Sequence, residues 1–357
     1  MSELMQSYIN SQGEIMKGIL DQREDLAREF VALYKDQPID RVFLFGSGSS
    51  WHASVMAQPV IEKALGVEVT CSVPTRMQDL SLICEKAPLF IGTSQGGKSF
   101  STLNKVKELV AAGHKVTAIT QEDSTPTAQA ASLSVSLRIG EEKVGAKTKG
   151  VSGSALTLML LALELGRAKG TVCQNYYDKT IADLYTAASH VAENARRCIK
   201  WVADNAAEMA PSEHILVLAE KCDYGAALEG ALKMLETIWR PCVCYEFEEY
   251  LHGVANMLCE KTYMLYMLPD GAARERFERL ARYAEGKGAK CYLISRGEPV
   301  EGARNVNLLS SGNAELSCFE FLVPVQTISA KLSEFCRFDI DKPRYPDFHP
   351  TMATKLM

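Results

Sequence analysis

The sequence predicts an α/β protein of two domains with one architecture, each a parallel sheet with helices on both faces. Three observations predict it. Compact apolar runs bounded by glycine, aspartate or polar turns alternate with amphipathic stretches of helical spacing. The series occurs twice in similar order, which marks a duplication at the level of fold. At 357 residues the chain is too long for one small core and suits two domains of ordinary size.

Residues 1–36 read as one polar amphipathic helical segment, with Ile9, Ile15, Ile19, Leu20, Leu26 and Phe30 on its apolar face. A first domain spans 37–170. It opens on the strand Arg41–Phe45, then the turn Gly46-Ser-Gly-Ser-Ser and a helix over 53–65. The strand 88–93 follows, with the turn Ser94-Gln-Gly-Gly-Lys-Ser and a helix through Ala112. Strands over 115–120 and 133–138, a polar loop over 140–150 and an apolar helix over 152–167 complete it. Residues 171–211 form a helical connector. The second domain, 212–338, carries strands at 214–219, 263–268, 290–295 and 306–309, with helices over 227–239, 272–287 and 315–335. The tail, 339–357, has three prolines and no periodicity, so it hangs free or lies across a surface as a lid.

Composition narrows the function classes. Hydrophobic content of 47% and charged content of 23% are those of a globular protein, and a net charge of −5 argues against nucleic acid as main partner. A phosphorylated small molecule stays open, because a few local donors bind it whatever the total charge. Eleven cysteines lie scattered without a CxxC pair, and only Val243 separates Cys242 from Cys244, so no metal site is expected. With no signal peptide at MSELMQSYIN, the expectation is reduced thiols in the cytoplasm. No apolar run is expected to span a bilayer.

Chemistry concentrates in residues 227–257. Leu228, Leu232, Leu235 and Trp239 recur at helical spacing and mark an apolar face; Glu229, Lys233 and Glu236 share a flanking one. Pro241 stops the helix, and the run CVCYEFEEYLHG leads to His252 and Gly253. Glu236 and His252 thus lie on different elements and could face one cavity as acid and base, although Lys233 or Arg240 could equally pair with a solvated Glu236. The two polar turns sit at carboxyl ends of strands, where parallel sheets bind ligands. Glycines, hydroxyls and backbone N–H groups at a helix start make an anion site. Neither turn matches a Walker loop or a dinucleotide GxGxxG.

These signatures, with AKTKG, ALEGALKMLE and EEYLHG following in order, resemble the double sugar-isomerase (SIS) domain family, whose best-known member is the isomerase half of glucosamine-6-phosphate synthase. The resemblance implies two SIS domains, each a flavodoxin-like three-layer sandwich. It covers nearly the whole chain. With the resemblance starting at the sugar domain, no glutaminase half is expected, and it points to stand-alone relatives, the deglycases of fructosamine and glucoselysine 6-phosphates. Trp239, three residues after Glu236, matches that branch.

Carried over by position, Glu236 matches the acid/base at C1 and C2, and His252 the ring-opening histidine, which comes from the neighbouring subunit of a homodimer. Lys355 matches the tail lysine. Ser94, Gln95 and Ser99 match the phosphate turn, and Ser50 a hydroxyl of the first turn. Gly96 stands where the family has serine, a loss that Lys98 could make good. Gly145 and Lys147 match the substrate loop, and Lys147 could meet a substrate carboxylate. The implied activity is cleavage of a 6-phosphorylated sugar–amino-acid adduct without metal or organic cofactor. An aldose–ketose isomerase or a glucosamine-6-phosphate deaminase would use the same residues. A sensor that binds sugar phosphate without turnover is the alternative from another class.

Overall fold

A computed structural model describes residues 3–77, 87–300 and 304–355. The chain divides into two compact units, each built around one five-stranded parallel sheet.

The first sheet belongs to the unit made of Glu14–Lys143, Lys149–Tyr185 and Arg344–Met357. The leading segment is two helices rather than one, α1 (Glu3–Asp21) and α2 (Arg23–Tyr34), because the backbone leaves helical geometry at Gln22. Then follow β1 (Arg41–Phe45), α3 (Ser49–Leu65), β2 (Glu68–Ser72), β3 (Pro88–Thr93), α4 (Phe100–Ala111), β4 (Val116–Thr120), α5 (Pro126–Ala130), β5 (Leu133–Ser136) and α6 (Lys149–Lys169). The strand order is β2-β1-β3-β4-β5, all parallel. Phe43 and Phe90 pair across β1 and β3, and their rings stack at 5.3 Å over Val106, Leu109 and Val116. Strand β2 was not singled out by the sequence pattern, since as a half-exposed edge strand it carries no apolar run. By length and composition α6 could cross a bilayer, contrary to expectation, but 89% of that stretch is buried inside the protein. It is a core helix.

The long helix α7 (Gln174–Met209) starts in this unit and continues from Thr186 in the other. That second unit is made of Met1–Gly13, Val144–Thr148 and Thr186–Pro343. It holds β6 (His214–Ala219), α8 (Asp223–Ile238), β7 (Cys242–Glu246), α9 (Phe247–Leu251), β8 (Thr262–Leu268), α10 (Ala273–Gly286), β9 (Lys290–Arg296), β10 (Arg304–Leu308) and α11 (Ser317–Phe335). The order is β10-β9-β8-β6-β7, so counted within its own unit this sheet is wound as the first one is. Both reverse strand order after their first strand, which leaves a crevice at β1/β3 and another at β6/β8. Strand β7 is the run CVCYE, expected as a connector. It is the edge counterpart of β2, and mostly half-exposed. One face of this sheet carries Leu216, Leu218, Met264 and Tyr266 with the stacked Phe247 and Phe277 rings, 3.9 Å apart. A last helix, α12 (Phe348–Met352), lies in the tail.

Helix α8 does not bury its leucine stripe. Leu228 and Leu232 are half-buried and Leu235 is 46% exposed, while Ala226, Glu229, Gly230, Lys233, Met234 and Thr237 face inward. The reason is close packing on α11, where a Cβ on Gly230 would stand 2.8 Å from the Val325 side chain. Thr237 Oγ1 and Ser329 Oγ share a 2.8 Å hydrogen bond across the same seam. Gly230→Val should therefore overpack the α8/α11 seam and cost roughly 1–3 kcal/mol. Urea denaturation checks this, and an unchanged midpoint would refute the close packing.

Candidate active site

In the second unit the site grows out of α8. Lys233 is 1% exposed and Glu229 is fully buried, with Nζ 3.3 Å from Glu229 Oε1 and 2.5 Å from Glu236 Oε2. Residues at i, i+4 and i+7 lie on one helical face, so the ammonium sits between two carboxylates. Burial alone would push the lysine pKa down; the Glu229 and Glu236 charges and their hydrogen bonds outweigh it and hold the ammonium above its ordinary range. Glu236 is the member that reaches solvent, with 34% of its side chain exposed. The pairing of Glu236 with Lys233 was one of the sequence alternatives, and the pair is formed. Helix α8 ends at Trp239, which takes a left-handed conformation (φ 55°) and packs its ring 4.5 Å from Phe338.

His252 caps the carboxyl end of α9 and is exposed. Glu246 caps the other end, accepting from the Glu248 and Glu249 N–H groups. Among the described residues no hydrogen bond or ion pair joins His252 to Glu236 in one chain. Gly145 is exposed and Lys147 half-buried, on the segment Val144–Thr148. Gln326 of α11 anchors that segment by donating to the Thr148 carbonyl at 3.2 Å.

In the first unit the crevice at β1/β3 gathers hydroxyls. Ser101 Oγ lies 3.2 Å from Ser47 Oγ and 3.5 Å from Ser99 Oγ, and Thr102 donates to Ser99 at 3.2 Å. Ser47, Ser101 and Thr102 were not singled out; the continuing run Ser99-Phe-Ser-Thr was the available signal. Ser94 is buried, and its carbonyl accepts from Gly97 N–H in a turn that needs Gly97's positive φ of 59°. Ser50, in the first turn of α3, packs against Gly46. Gln95 turns elsewhere: its Nε2 donates to Glu142 Oε2 at 3.0 Å, and Glu142 accepts the N–H groups of Lys149 and Gly150 at the start of α6. Lys98 and Gly96 line a cavity of ≈ 720 Å³ with Glu122, Glu141 and Glu142. The tail reaches this region, because Lys355 forms an antiparallel bridge to Ser99 and Phe100 N–H donates to the Thr354 carbonyl at 3.2 Å.

The corresponding crevice of the second sheet carries different chemistry. Arg296, 1% exposed, lies 3.0 Å from Glu320 and 2.5 Å from Asp270. Ser317 Oγ donates to Asp223 at 2.5 Å, and burial, reinforced by Cys222, pushes the Asp223 carboxyl up. This arginine is consumed internally, so the hydroxyl turn of the first sheet is the better anion site. Among the described residues, no group of three or more His, Cys, Asp or Glu side chains could hold a metal ion.

The SIS domain family matches residues 37–164. Over 99% of both chains, the fold superposes on a Clostridium difficile 630 protein, provisionally classed as a phosphosugar isomerase, with a TM-score of 0.90 and 27% identity. Residues 37–164 thus carry the SIS match, and over its whole length the chain has the fold of that structure. A Salmonella typhimurium LT2 structure, provisionally classed as sugar-binding, matches with a TM-score of 0.83 and 28% identity over 92% of this chain and 99% of the other. In sequence the chain is 25% identical over 311 residues to a Zymomonas mobilis glutamine–fructose-6-phosphate aminotransferase (isomerizing). That alignment takes in 86% of this chain and 51% of the relative, so the chain spans about half the length of the curated relatives it matches.

Lys233→Met should remove the buried cation beside the fully buried Glu229 carboxylate, and lower stability at neutral pH by about 3–5 kcal/mol. The Lys233 pKa is raised on folding, so its stabilisation is complete below the unfolded value of about 10.4 and is lost only as pH rises through the folded value. Wild-type denaturation midpoints should thus show no Lys233 contribution to pH dependence across the neutral range. The variant should regain stability on acidification, as Glu229 takes up a proton. Equal stability of variant and wild type at pH 7 would contradict the pairing.

Proposed function

We propose that this protein is a double-SIS, cytoplasmic enzyme acting on a 6-phosphorylated sugar, and that it is a deglycase of a phosphorylated sugar–amino-acid adduct. The observation that carries the reading is Glu236, a solvent-reaching carboxylate fixed from behind by a buried ammonium. Moving a proton between C1 and C2 needs one base that takes it from carbon and returns it. A sensor needs no such group. Trp239 after Glu236, and Lys147 as a cation for the carboxylate of an amino-acid part, favour the deglycase over the isomerase or deaminase.

The roles follow. Hydroxyls of the turn from Ser94 to Thr102, with Ser47 and Ser50, hold the 6-phosphate, and the tail residue Lys355 closes on the turn. Gln95 acts from behind through Glu142, and Gly145 supplies backbone to the sugar. Glu236 removes the proton from C1 of a 1-amino-ketose, and its acid form returns it to C2. The resulting C1=N imine adds water and releases aldose 6-phosphate and amine. A 2-amino-aldose would run through C2=N to the ketose 6-phosphate. Imidazole suits ring opening, being close to neutral in ordinary pKa, and it belongs to His252 of the partner subunit in a homodimer. Leu235, Val243, Leu251 and Met257, all exposed and near Glu236 and His252 in sequence, would supply apolar surface for such a dimer to cover. No metal or organic cofactor is needed for these steps.

The test is hexose 6-phosphate release from fructoselysine 6-phosphate and from glucoselysine 6-phosphate, with fructose 6-phosphate and glucosamine 6-phosphate alongside. Turnover of one adduct is expected, falling ~10²–10⁴-fold in Glu236→Gln with binding retained. Silence on both adducts with turnover of a simple phosphosugar would assign the isomerase or deaminase branch. Silence on all four would leave the sensor.

A further inference from the structure

Three fully buried residues of the second unit form a hydrogen-bond relay that ends on the segment carrying Lys147. Gln12 lies on the part of α1 that belongs to this unit, Gln326 on α11, and Thr148 at the end of Val144–Thr148. Gln12 Nε2 donates to Gln326 Oε1 at 2.7 Å, and Gln326 Nε2 donates to the Thr148 carbonyl at 3.2 Å. Gln326 follows the buried run 321–325, FLVPV, and an amide placed there is costly unless it is bonded. The direction of the relay is fixed at both ends. Gln12 Nε2 also donates to the Ile9 carbonyl at 3.2 Å, and a carbonyl only accepts, so this end of Gln12 is its nitrogen. Gln326 then presents its oxygen to Gln12, which leaves its nitrogen for Thr148. Gln12 is itself held in place. A Cβ on the next residue, Gly13, would stand 2.5 Å from the Ala188 carbonyl of α7, so α1 lies closely packed on α7.

What the relay holds is a register. Along 144–148 burial alternates: Val144, Ala146 and Thr148 are buried, Gly145 is exposed and Lys147 half-buried. A period of two is that of extended chain, where a slip by one residue exchanges the two faces. Such a slip would turn Lys147 inward. The Thr148 carbonyl belongs to the residue next to Lys147, so a donor fixed against it holds the segment against that slip. We infer that Gln326, oriented by Gln12, is a positioning residue that sets the register of 144–148 and so aims Lys147 at the carboxylate of the substrate. The inference rests on the reading of Lys147 given above as the cation for the amino-acid part. Both glutamines are fully buried and act only through the segment they hold.

The test compares fructoselysine 6-phosphate and glucoselysine 6-phosphate with adducts of the same sugar phosphates on pentylamine, which lack the carboxylate. Wild type, Lys147→Ala, Gln326→Met and Gln12→Met/Gln326→Met are titrated calorimetrically and assayed for turnover. Replacing both bonded amides by apolar side chains of similar shape costs less than removing one, so the double variant should melt closer to wild type than Gln326→Met does. Both relay variants should weaken the lysine adducts roughly tenfold, in Kd and in KM rather than kcat, and leave the pentylamine adducts unchanged. On a Lys147→Ala background Gln326→Met should weaken binding no further. Backbone amides of 144–148 should exchange with deuterium about tenfold faster in the double variant, while those of β8 keep their rates. Equal losses on both kinds of adduct would make the glutamines merely structural and overturn the inference. So would undisturbed binding of the lysine adducts in the relay variants, or unchanged exchange. If wild type binds no adduct, or Lys147→Ala binds the lysine adducts as wild type does, it is the reading of Lys147 that fails. Exchange then decides the relay alone, faster rates at 144–148 supporting it and unchanged rates overturning it.

Discussion

The buried ammonium of Lys233 is the constraint on which the second unit depends. A lysine with 1% exposure is tolerable only with carboxylates at hand, and Glu229 and Glu236 supply them at 3.3 and 2.5 Å. That requirement and the close packing on α11 together orient α8. They turn the charged face inward, send Leu235 to the surface and leave Gly230 to meet α11 without a side chain. The same arrangement leaves one carboxylate at the boundary with water in a fixed position. Fixing a reactive group in advance removes the entropy of ordering it later.

Duplication of the fold supplies two crevices, and the two have diverged. The first sheet keeps a glycine-bearing turn and a patch of three serines and a threonine, bonded to one another. The second fills the corresponding place with Arg296 and three carboxylates, closed upon themselves. A ligand phosphate competes poorly for a guanidinium already paired in a low-dielectric interior. The two halves thus differ in kind: hydroxyls bonded to one another in the first crevice, an internal ion-pair cluster in the second.

Much of this was legible in the sequence, and each failure has a physical cause. Central strands such as Leu216–Leu218 in β6 announce themselves because both faces are buried, which forces an unbroken apolar run. Edge strands β2 and β7 are half-exposed and carry cysteine, serine and glutamate, so their pairing is invisible without the sheet. The α8 leucines misled for another reason. Apolar periodicity assumes that charge faces out, and the buried Glu229–Lys233 pair inverts it. Glu236 and the serine turns could be read from local pattern, but Ser101 and Ser47 meet only across a crevice, and the Ser99–Lys355 bridge joins residues far apart in sequence. Non-local pairing leaves no local trace.

The most direct test of the account is solvent proton exchange on the sugar itself. The protein is incubated with a hexose 6-phosphate in deuterium oxide, and C1 and C2 are followed by NMR. Glu236 acting as a base at carbon predicts deuterium at one of these positions, dependent on the 6-phosphate and lost in Glu236→Gln. A protein that binds the sugar phosphate tightly and leaves both carbons unexchanged would contradict it, and the Glu236–Lys233 pair would then be a structural ion pair in a binding protein.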